Sequence, residues 1–228
     1  NGSLWVEIRD LDSLMGLEYQ YHLLSKTNNL IKKVIDVLGS VILLVLLSPL
    51  MLIVCLLIKL DSKGPILYRQ ERLGRNFKRI NIYKFRSMVP DADQRLQQLL
   101  KSDAVANEEY KKFHKLEKDP RVTRVGRFIR RFSIDEFPQL LNVIKGEMSL
   151  CGPRAYLPVE LEEMGNYAAT ILRVNPGMTG WLQVLGRHNT SFMKRLQMDE
   201  YYISNWSIWM DIYIFLKTVG VVIFGKGA

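Results

Sequence analysis

Cysteine is scarce in this 228-residue chain: Cys55 and Cys151 are its only two. One of them lies inside a long apolar run, so they build no disulfide framework. That excludes the small stapled secreted folds and favours a reducing compartment. Histidine is nearly as rare. His22, His114 and His188 stand far apart, at no spacing that metal ligands use, which argues against a histidine-built zinc centre. Acidic residues are outnumbered, 23 against 32 basic ones, for a formal charge of +9. An excess of this sign favours anionic partners: nucleic acid, phospholipid headgroups or phosphorylated substrates. Internal repeats and low-complexity tracts are missing, and so is a signal-peptide pattern. The chain starts at Asn1 without an initiator methionine and reads as a piece of something longer.

What the chain does have is one long uncharged stretch, Val37 to Ile58, with Ser48-Pro49 near its middle. Lys32 and Lys33 precede it; Lys59 and Lys63 follow it. As a straight helix it would measure roughly 33 Å, enough to cross a bilayer core. Proline removes an N–H and crowds the preceding turn, so a bend is expected near Ser48. Cations at both ends give no orientation bias, because basic residues prefer the cytoplasmic side. Both features suit a helix that enters, bends and returns. A spanning helix with a tolerated proline is the alternative. A core helix of a soluble domain needs far fewer consecutive apolar residues.

The rest of the chain divides around this run. Residues 1–29 are mixed and polar and read as the tail of a preceding region followed by a linker. Thr27-Asn28-Asn29 is placed to cap a helix starting near Leu30. Residues 30–60 form the membrane helix, and residues 61–228 one domain. Asp61 to Pro65 is a turn cluster. Ile66 to Gln70 and Ile80 to Phe85 are β-prone with Gly74-Arg75-Asn76 between them, which predicts a hairpin. Residues 91–118 read as a polar helix or helix pair, 121–147 as interrupted helix, and 194–224 as helix. Trp206 to Phe224 is apolar and aromatic but broken by Asp211 and Lys217, as in a helix lying in the interface. The expected fold is α+β, mainly α: a re-entrant membrane helix, a small β-hairpin and interfacial amphipathic helices around one domain.

Three clusters could carry chemistry. Ser133-Ile134-Asp135-Glu136 is a capping box in form, with Glu136 reaching back to Ser133. Pro138 counts against a regular helix there. Adjacent carboxylates on a helix point about 100° apart and serve different partners. One can attack while the other holds a metal, and aspartate is an established nucleophile in phosphoryl chemistry. Upstream, Arg121, Arg124, Arg127, Arg130 and Arg131 make a drifting basic stripe, either a solvated face or a phosphate site. The hairpin region adds Arg69, Arg72, Arg75, Lys78, Arg79, Lys84 and Arg86. Asp91-Ala92-Asp93 follows Pro90 and opens a helix, so it reads as N-terminal capping acid rather than a metal motif.

Taken in order, these residues resemble the bacterial sugar transferases of the monotopic phosphoglycosyl transferase family. Lys32-Lys33-Val-Ile-Asp36 resembles the family's basic start, and Ser48-Pro49 its helix break. Gly64-Pro65-Ile-Leu-Tyr-Arg69-Gln70-Glu-Arg72-Leu-Gly74 and Ile82-Tyr83-Lys84-Phe85-Arg86-Ser87-Met88 match further signatures. So do Asp119-Pro120-Arg121-Val-Thr123, Ser133-Ile-Asp135-Glu136-Phe-Pro138-Gln139-Leu-Leu-Asn142, Lys145-Gly146-Glu147-Met148-Ser149, Gly152-Pro153-Arg154, Pro176-Gly177-Met-Thr179-Gly180 and Gln183-Val-Leu-Gly186-Arg187. Ala155 stands where the family commonly has proline, and Cys151 where it often has a larger apolar residue; neither change removes a reactive group. The stretches Leu17-Glu18-Tyr19 and Tyr156-Leu157-Pro158 look most like the long, undecaprenyl-phosphate galactose phosphotransferase type.

The resemblance implies a reaction. A sugar-1-phosphate passes from a UDP-sugar, galactose or glucose favoured, to undecaprenyl phosphate, and UMP leaves. Asp135 would be the nucleophile, and Asp135 and Glu136 would hold Mg²⁺ on the diphosphate. Lys84, Arg86, Arg130, Arg154, Arg187 and Asp199 would bind substrate. The implied place is the cytoplasmic face of the bacterial inner membrane, in contact with phospholipid, with a homo-oligomer allowed and no nucleic acid. Two other classes compete. A membrane-anchored nucleic-acid binder would need aromatics interleaved with the basic stripe or a recognition motif. A non-catalytic scaffold would leave Asp135 and Glu136 as capping residues only.

Overall fold

The computed structural model describes residues 6–11, 14–19, 22–103, 105, 107–108, 110, 116, 119–185 and 190–225, with the backbone alone for 6–19 and for Asp93. The architecture is α+β and mainly helical. Two compact units divide it. One comprises Asn1–Leu46, Arg69–Tyr83 and Gln139–Val221; the other comprises Leu47–Tyr68, Lys84–Pro138 and Val222–Ala228.

The first element falls in the stretch read as the tail of a preceding region followed by a linker. Strands β1 (Val6–Leu11) and β2 (Leu14–Tyr19) pair antiparallel, with Val6 opposite Tyr19 and Leu11 opposite Leu14. Their alternation is short and interrupted by Asp10 and Gly16, too weak a period to stand out in the sequence.

Helix α1 then runs from Lys26 to Asp61. Its cap is Ser25, whose Oγ accepts from the Asn28 N–H at 3.3 Å; Thr27 to Asn29 lie inside the first turn rather than before it. The helix continues through Pro49, and the boundary between the two units falls at Leu46–Leu47, beside the Ser48-Pro49 step. The apolar run is largely uncovered: Leu46, Leu52 and Leu56 are each more than half exposed. α1 is the one helix among the described residues long and apolar enough to cross a membrane.

The two halves of α1 are held differently, each within its own unit. In the first half Lys32 turns inward. Its Nζ donates to Asp211 Oδ2 at 2.7 Å and lies 3.5 Å from Asp36 Oδ2. Asp36 accepts from Ser149 Oγ at 2.6 Å and from the Leu150 N–H at 3.2 Å. Asp211 accepts from Tyr202 Oη at 2.7 Å and from Trp206 Nε1 at 3.0 Å. Every charge in this buried group therefore has a partner, which is the condition under which buried charge is tolerated. In the second half, Val54 and Ile58 pack with Phe85, Ile129 and Ile134 into a small core. The end of the helix is closed by Arg86, which donates to the carbonyls of Ser62 at 2.6 Å and of Pro65, and to Ser62 Oγ at 2.9 Å.

The expected hairpin is present as β3 (Leu67–Leu73) and β4 (Arg79–Phe85). Helices α2 (Ala92–Ser102) and α3 (Arg124–Arg131) follow. Asp91 sits at the N-cap position of α2, but its carboxylate accepts from Arg95 at 2.7 Å instead of capping. Then come α4 (Leu140–Ile144), β5 (Ser149–Cys151), α5 (Leu161–Met164), α6 (Tyr167–Ile171), β6 (Gly177–Thr179), α7 (Trp181–Leu185), α8 (Phe192–Ser204) and α9 (Ile208–Ile223). β5 and β6 pair in parallel, Ser149 with Gly177 and Cys151 with Thr179. Gly177 is needed there: a Cβ would lie 2.2 Å from the Gly152 nitrogen. Around this pair Tyr156, Met164, Leu196, Tyr202, Ile203 and Ile214 form the main core. On α9, Ile214 points inward, whereas Trp209, Ile212, Tyr213, Leu216 and Ile223 are exposed. Their spacing of three and four makes one apolar face, the pattern expected of an interfacial helix.

Candidate active site

Asp135 and Glu136 do not sit on an α-helix. They occupy a 3-10 segment, Ile134–Gln139, with Pro138 inside it. Three residues per turn suit a short piece like this one. The segment starts from an unusual residue. Ser133 has φ of +53°, the left-handed region in which a Cβ is crowded. Its backbone carbonyl accepts from the Glu136 N–H at 3.3 Å. The Glu136 carboxylate goes to Lys84 Nζ at 2.6 Å. The capping-box reading of Ser133 and Glu136 is thereby replaced. The left-handed turn reverses the chain after α3, and Glu136 is an ion-pair partner. Strained backbone of this kind persists where its surroundings over-determine it, which happens most often at functional sites.

Two cations face this segment. Lys84 comes from the end of β4 and Arg130 from the last turn of α3. Arg130 Nε donates to Ser87 Oγ at 2.8 Å. α3 itself starts on the backbone of Ser87. Thr123 caps it, accepting from the Gly126 N–H at 3.0 Å, and the Thr123 N–H donates to the Ser87 carbonyl at 3.1 Å. Gly126 is required by this approach, since a Cβ would come within 2.0 Å of the Ser87 oxygen. One residue thus receives both ends of a two-turn helix and aims Arg130. The sequence shows Ser87 only as part of a motif and gives Gly126 no mark at all, because their importance lies in a contact across more than 35 residues.

The basic stripe separates into roles. Arg121 is consumed by Asp119, donating through Nε at 2.8 Å and through its terminal nitrogen at 2.7 Å. Although burial pushes Asp119 up, these hydrogen bonds from Arg121 hold its carboxyl below the usual range. Arg127 donates to the Val122 carbonyl, and Arg124 is exposed. Arg130 is set toward Asp135, and burial lowers its pKa against the opposing charges of Asp135 and Asp119.

Asp135 is half-buried, and its carboxyl is pushed up from 3.8 to about 6. Loss of water is the main cause and the Glu136 charge the next; Lys84 and Arg130 oppose both. A carboxyl raised in the fold binds its proton more tightly than in the unfolded chain. It therefore favours the fold at low pH, and this contribution is lost as pH rises through about 6. For a nucleophilic role at Asp135 the sign is opposite, because only the carboxylate can attack. We expect kcat/KM for the free enzyme to fall about tenfold per pH unit below about 6. A profile recorded from pH 5 to 8 checks this; a flat profile down to pH 5 would show that Asp135 is ionised throughout.

The remaining sequence-predicted residues lie elsewhere. Arg86 belongs to the same unit, but its guanidinium is buried against the end of α1, so it is a helix cap with no nitrogen presented to a substrate. Arg154 and Asp199 belong to the other unit. Asp199 is fully buried. Its Oδ2 accepts from Tyr156 Oη at 2.7 Å and from the Arg154 N–H at 3.0 Å. It holds the backbone that carries Arg154. Burial pushes its carboxyl up to about 6, with the bonds from Tyr156 and Arg154 opposing. Arg187 lies outside the described residues. Among the described residues no three His, Cys, Asp or Glu side chains gather as a metal cage. Asp135 and Glu136 are a hard-oxygen pair, which fits a Mg²⁺ that completes its shell with substrate phosphate and water.

The family description "Bacterial sugar transferase" matches residues 27–225. The chain is 42% identical over 215 residues to the undecaprenyl-phosphate galactose phosphotransferase of Salmonella typhimurium, covering 94% of this chain and 45% of that protein. It is 43% identical over 217 residues to the undecaprenyl-phosphate glucose phosphotransferase of Komagataeibacter xylinus, covering 90% and 38%. It is 42% identical over 197 residues to the exopolysaccharide production protein ExoY of Sinorhizobium fredii, covering 86% and 87%. The chain therefore spans less than half the length of the two phosphotransferases and most of the shorter relative. The carboxylate pair, its cations and the apolar helix all lie inside the matched region, and the chain belongs to the bacterial sugar transferase family.

Proposed function

We propose that this chain transfers a sugar-1-phosphate from a UDP-sugar, galactose or glucose, to undecaprenyl phosphate at the cytoplasmic face of the inner membrane. The observation that carries the reading is Asp135: a half-buried carboxylate next to the Glu136–Lys84 pair, with Arg130 aimed at it. Asp135 Oδ attacks the sugar-bearing phosphorus. The bond from that phosphorus to the bridging oxygen breaks, and UMP leaves with the oxygen. A phosphate oxygen of undecaprenyl phosphate then attacks the same phosphorus. The bond to Asp135 breaks and the carboxylate is restored. Lys84 exchanges Glu136 for phosphate oxygens when substrate enters, and Arg130 neutralises charge on the transferred group. Phosphoryl transfer depends mainly on such positioning and charge neutralisation. Mg²⁺ held by Asp135 and Glu136 would supply further neutralisation on the diphosphate. The test is a screen of UDP-sugars with undecaprenyl phosphate and Mg²⁺. Lipid-dependent UMP release is the expected result, and its failure with every UDP-sugar would reject the assignment.

We also propose that α1 is re-entrant. Pro49 interrupts the run near its middle, and lysines flank both ends, Lys32 and Lys33 before it and Lys59 and Lys63 after it; basic residues prefer the cytoplasmic side. A straight 36-residue helix would be about 54 Å long and place these ends on opposite sides of a bilayer. Cysteines introduced at Asn29 and Ser62, with Cys55 and Cys151 replaced, are expected to resist a membrane-impermeant reagent in intact cells alike. Replacing Ser48-Pro49 by Ala-Leu restores the missing N–H and should produce mixed or spanning topology with lost activity. Labelling of Asn29→Cys but not Ser62→Cys in the Ser48-Pro49 background would establish a spanning helix.

A further inference from the structure

A cavity of about 310 Å³ opens within the unit that holds the first half of α1. Its wall contains Asn29, Lys32, Lys33 and Asp36 of α1, the β3–β4 turn with Arg75, Asn76 and Lys78, and Gly146, Glu147 and Asn175. None of the proposed catalytic residues lines it. Its size is at the lower end of the range of small-ligand pockets, about 300–1,000 Å³.

The charges around it are unequal. Lys32 is neutralised by Asp36 and Asp211. Lys33, Arg75 and Lys78 are exposed, and none has an acidic partner within ion-pair distance among the described residues. Arg75 reaches only Asn29 Oδ1, at 3.5 Å. The one further acid, Glu147, has an oxygen held by Asn142 Nδ2 at 2.7 Å. Three cations thus meet at one mouth with a single, already engaged carboxylate near them. The turn is also strained. Asn76 has φ of +55° and Phe77 of +61°, a conformation that bulky residues seldom adopt. Phe77 is 53% exposed at the tip, so the strained turn holds a phenyl ring in solvent between cations. On α1, the cavity-lining Asn29, Lys33 and Val37 are adjacent to the exposed Leu30, Val34 and Leu38. The cavity mouth therefore borders the exposed apolar side of the helix.

From these features we propose that the cavity is a binding site for the phosphate headgroup of an anionic phospholipid. Lys33, Arg75 and Lys78 contact the phosphate, the acyl chains lie along α1, and Phe77 enters the interfacial layer. The proposal rests on α1 being in a membrane, but not on the transfer reaction.

The test is reconstitution of the chain in phosphatidylcholine nanodiscs holding a minor fraction of phosphatidylglycerol, followed by extraction into neutral detergent and native mass spectrometry. Wild type is expected to keep one phosphatidylglycerol in preference to phosphatidylcholine. The variant Arg75→Gln with Lys78→Gln should keep roughly thirtyfold less, the factor that two headgroup cations carry. Both residues are exposed, so its thermal unfolding without lipid should match wild type; if it does not, Lys33→Gln alone serves as the second variant and should also reduce retention. A control of equal charge, Lys101→Gln with Lys194→Gln, should retain the lipid. Equal loss in the control would assign retention to overall charge and overturn the site. Equal retention in the Arg75 and Lys78 variant would do the same. Displacement of the lipid by inorganic phosphate at millimolar concentration would reassign the cavity to a soluble phosphate and overturn the lipid proposal.

Discussion

Asp135→Asn is expected to lower UMP release by at least about three orders of magnitude while leaving thermal unfolding nearly unchanged. The substitution keeps the shape of the side chain and removes the only group proposed to form a bond to phosphorus. Three decades correspond to roughly 4 kcal/mol of barrier, a loss consistent with removing a covalent nucleophile. Wild-type protein mixed with UDP-sugar alone should carry a sugar-phosphate mass on the peptide containing Asp135, and the variant should carry none. Residual activity within about tenfold of wild type would correspond to only ~1.4 kcal/mol, too little for this role. Glu136→Gln separates the two carboxylates. A neutral amide is a poorer ligand for a hard cation, so activity and apparent Mg²⁺ affinity should fall together. A capping residue would tolerate the same change, because glutamine serves a capping box as well as glutamate. An unchanged Mg²⁺ titration at full turnover would return Glu136 to a structural role.

Lys32→Met should have the largest effect on stability. It strands Asp36 and Asp211 in the interior within reach of each other, with their cation removed. Breaking a buried pair by deleting one partner costs about 3–5 kcal/mol, mostly through the charge left behind. The double variant Lys32→Met with Asp211→Asn removes one of the stranded charges and should recover part of the loss. Urea unfolding in detergent measures both. Equal stability of Lys32→Met and wild type would show that the group is hydrated and contributes little. Failure of the second substitution to recover any stability would point to lost packing of the lysine stem instead of stranded charge.

The outcome also bears on how the motif Lys32-Lys33-x-x-Asp36 is read. In sequence both lysines are flanking charges of an apolar run, interchangeable by type. In the fold Lys32 and Asp36 are one turn apart and face inward to Asp211, while Lys33 faces out beside a cavity. Helical periodicity alone could separate the two lysines by face, but not say which face is covered. Arg86 shows the same limit. Its position in Lys84-Phe85-Arg86-Ser87-Met88 suggested a phosphate ligand, yet it lies just past the end of β4 and reaches the end of α1, where the Ser62 carbonyl and hydroxyl take its donors.

Local and ordered features were legible in the amino-acid sequence. The uncharged run declared a helix long and apolar enough to cross a membrane, because length and apolarity suffice for that. Two β-prone segments around Gly74 declared the hairpin, and the Asp135-Glu136 pair with arginines upstream marked a place where carboxylates and cations gather. The order of the motifs declared the family. What only the tertiary structure decided was partnership and conformation. Lys84 meets Glu136 across 52 positions and Lys32 meets Asp211 across 179; chain folding sets such separations, and composition is silent about them. The left-handed φ at Ser133 and the 3-10 turn after it are likewise tertiary choices. A Ser-x-x-Glu pattern favours an ordinary helix cap locally, and the pull of Lys84 on Glu136, together with Pro138, overrides that preference.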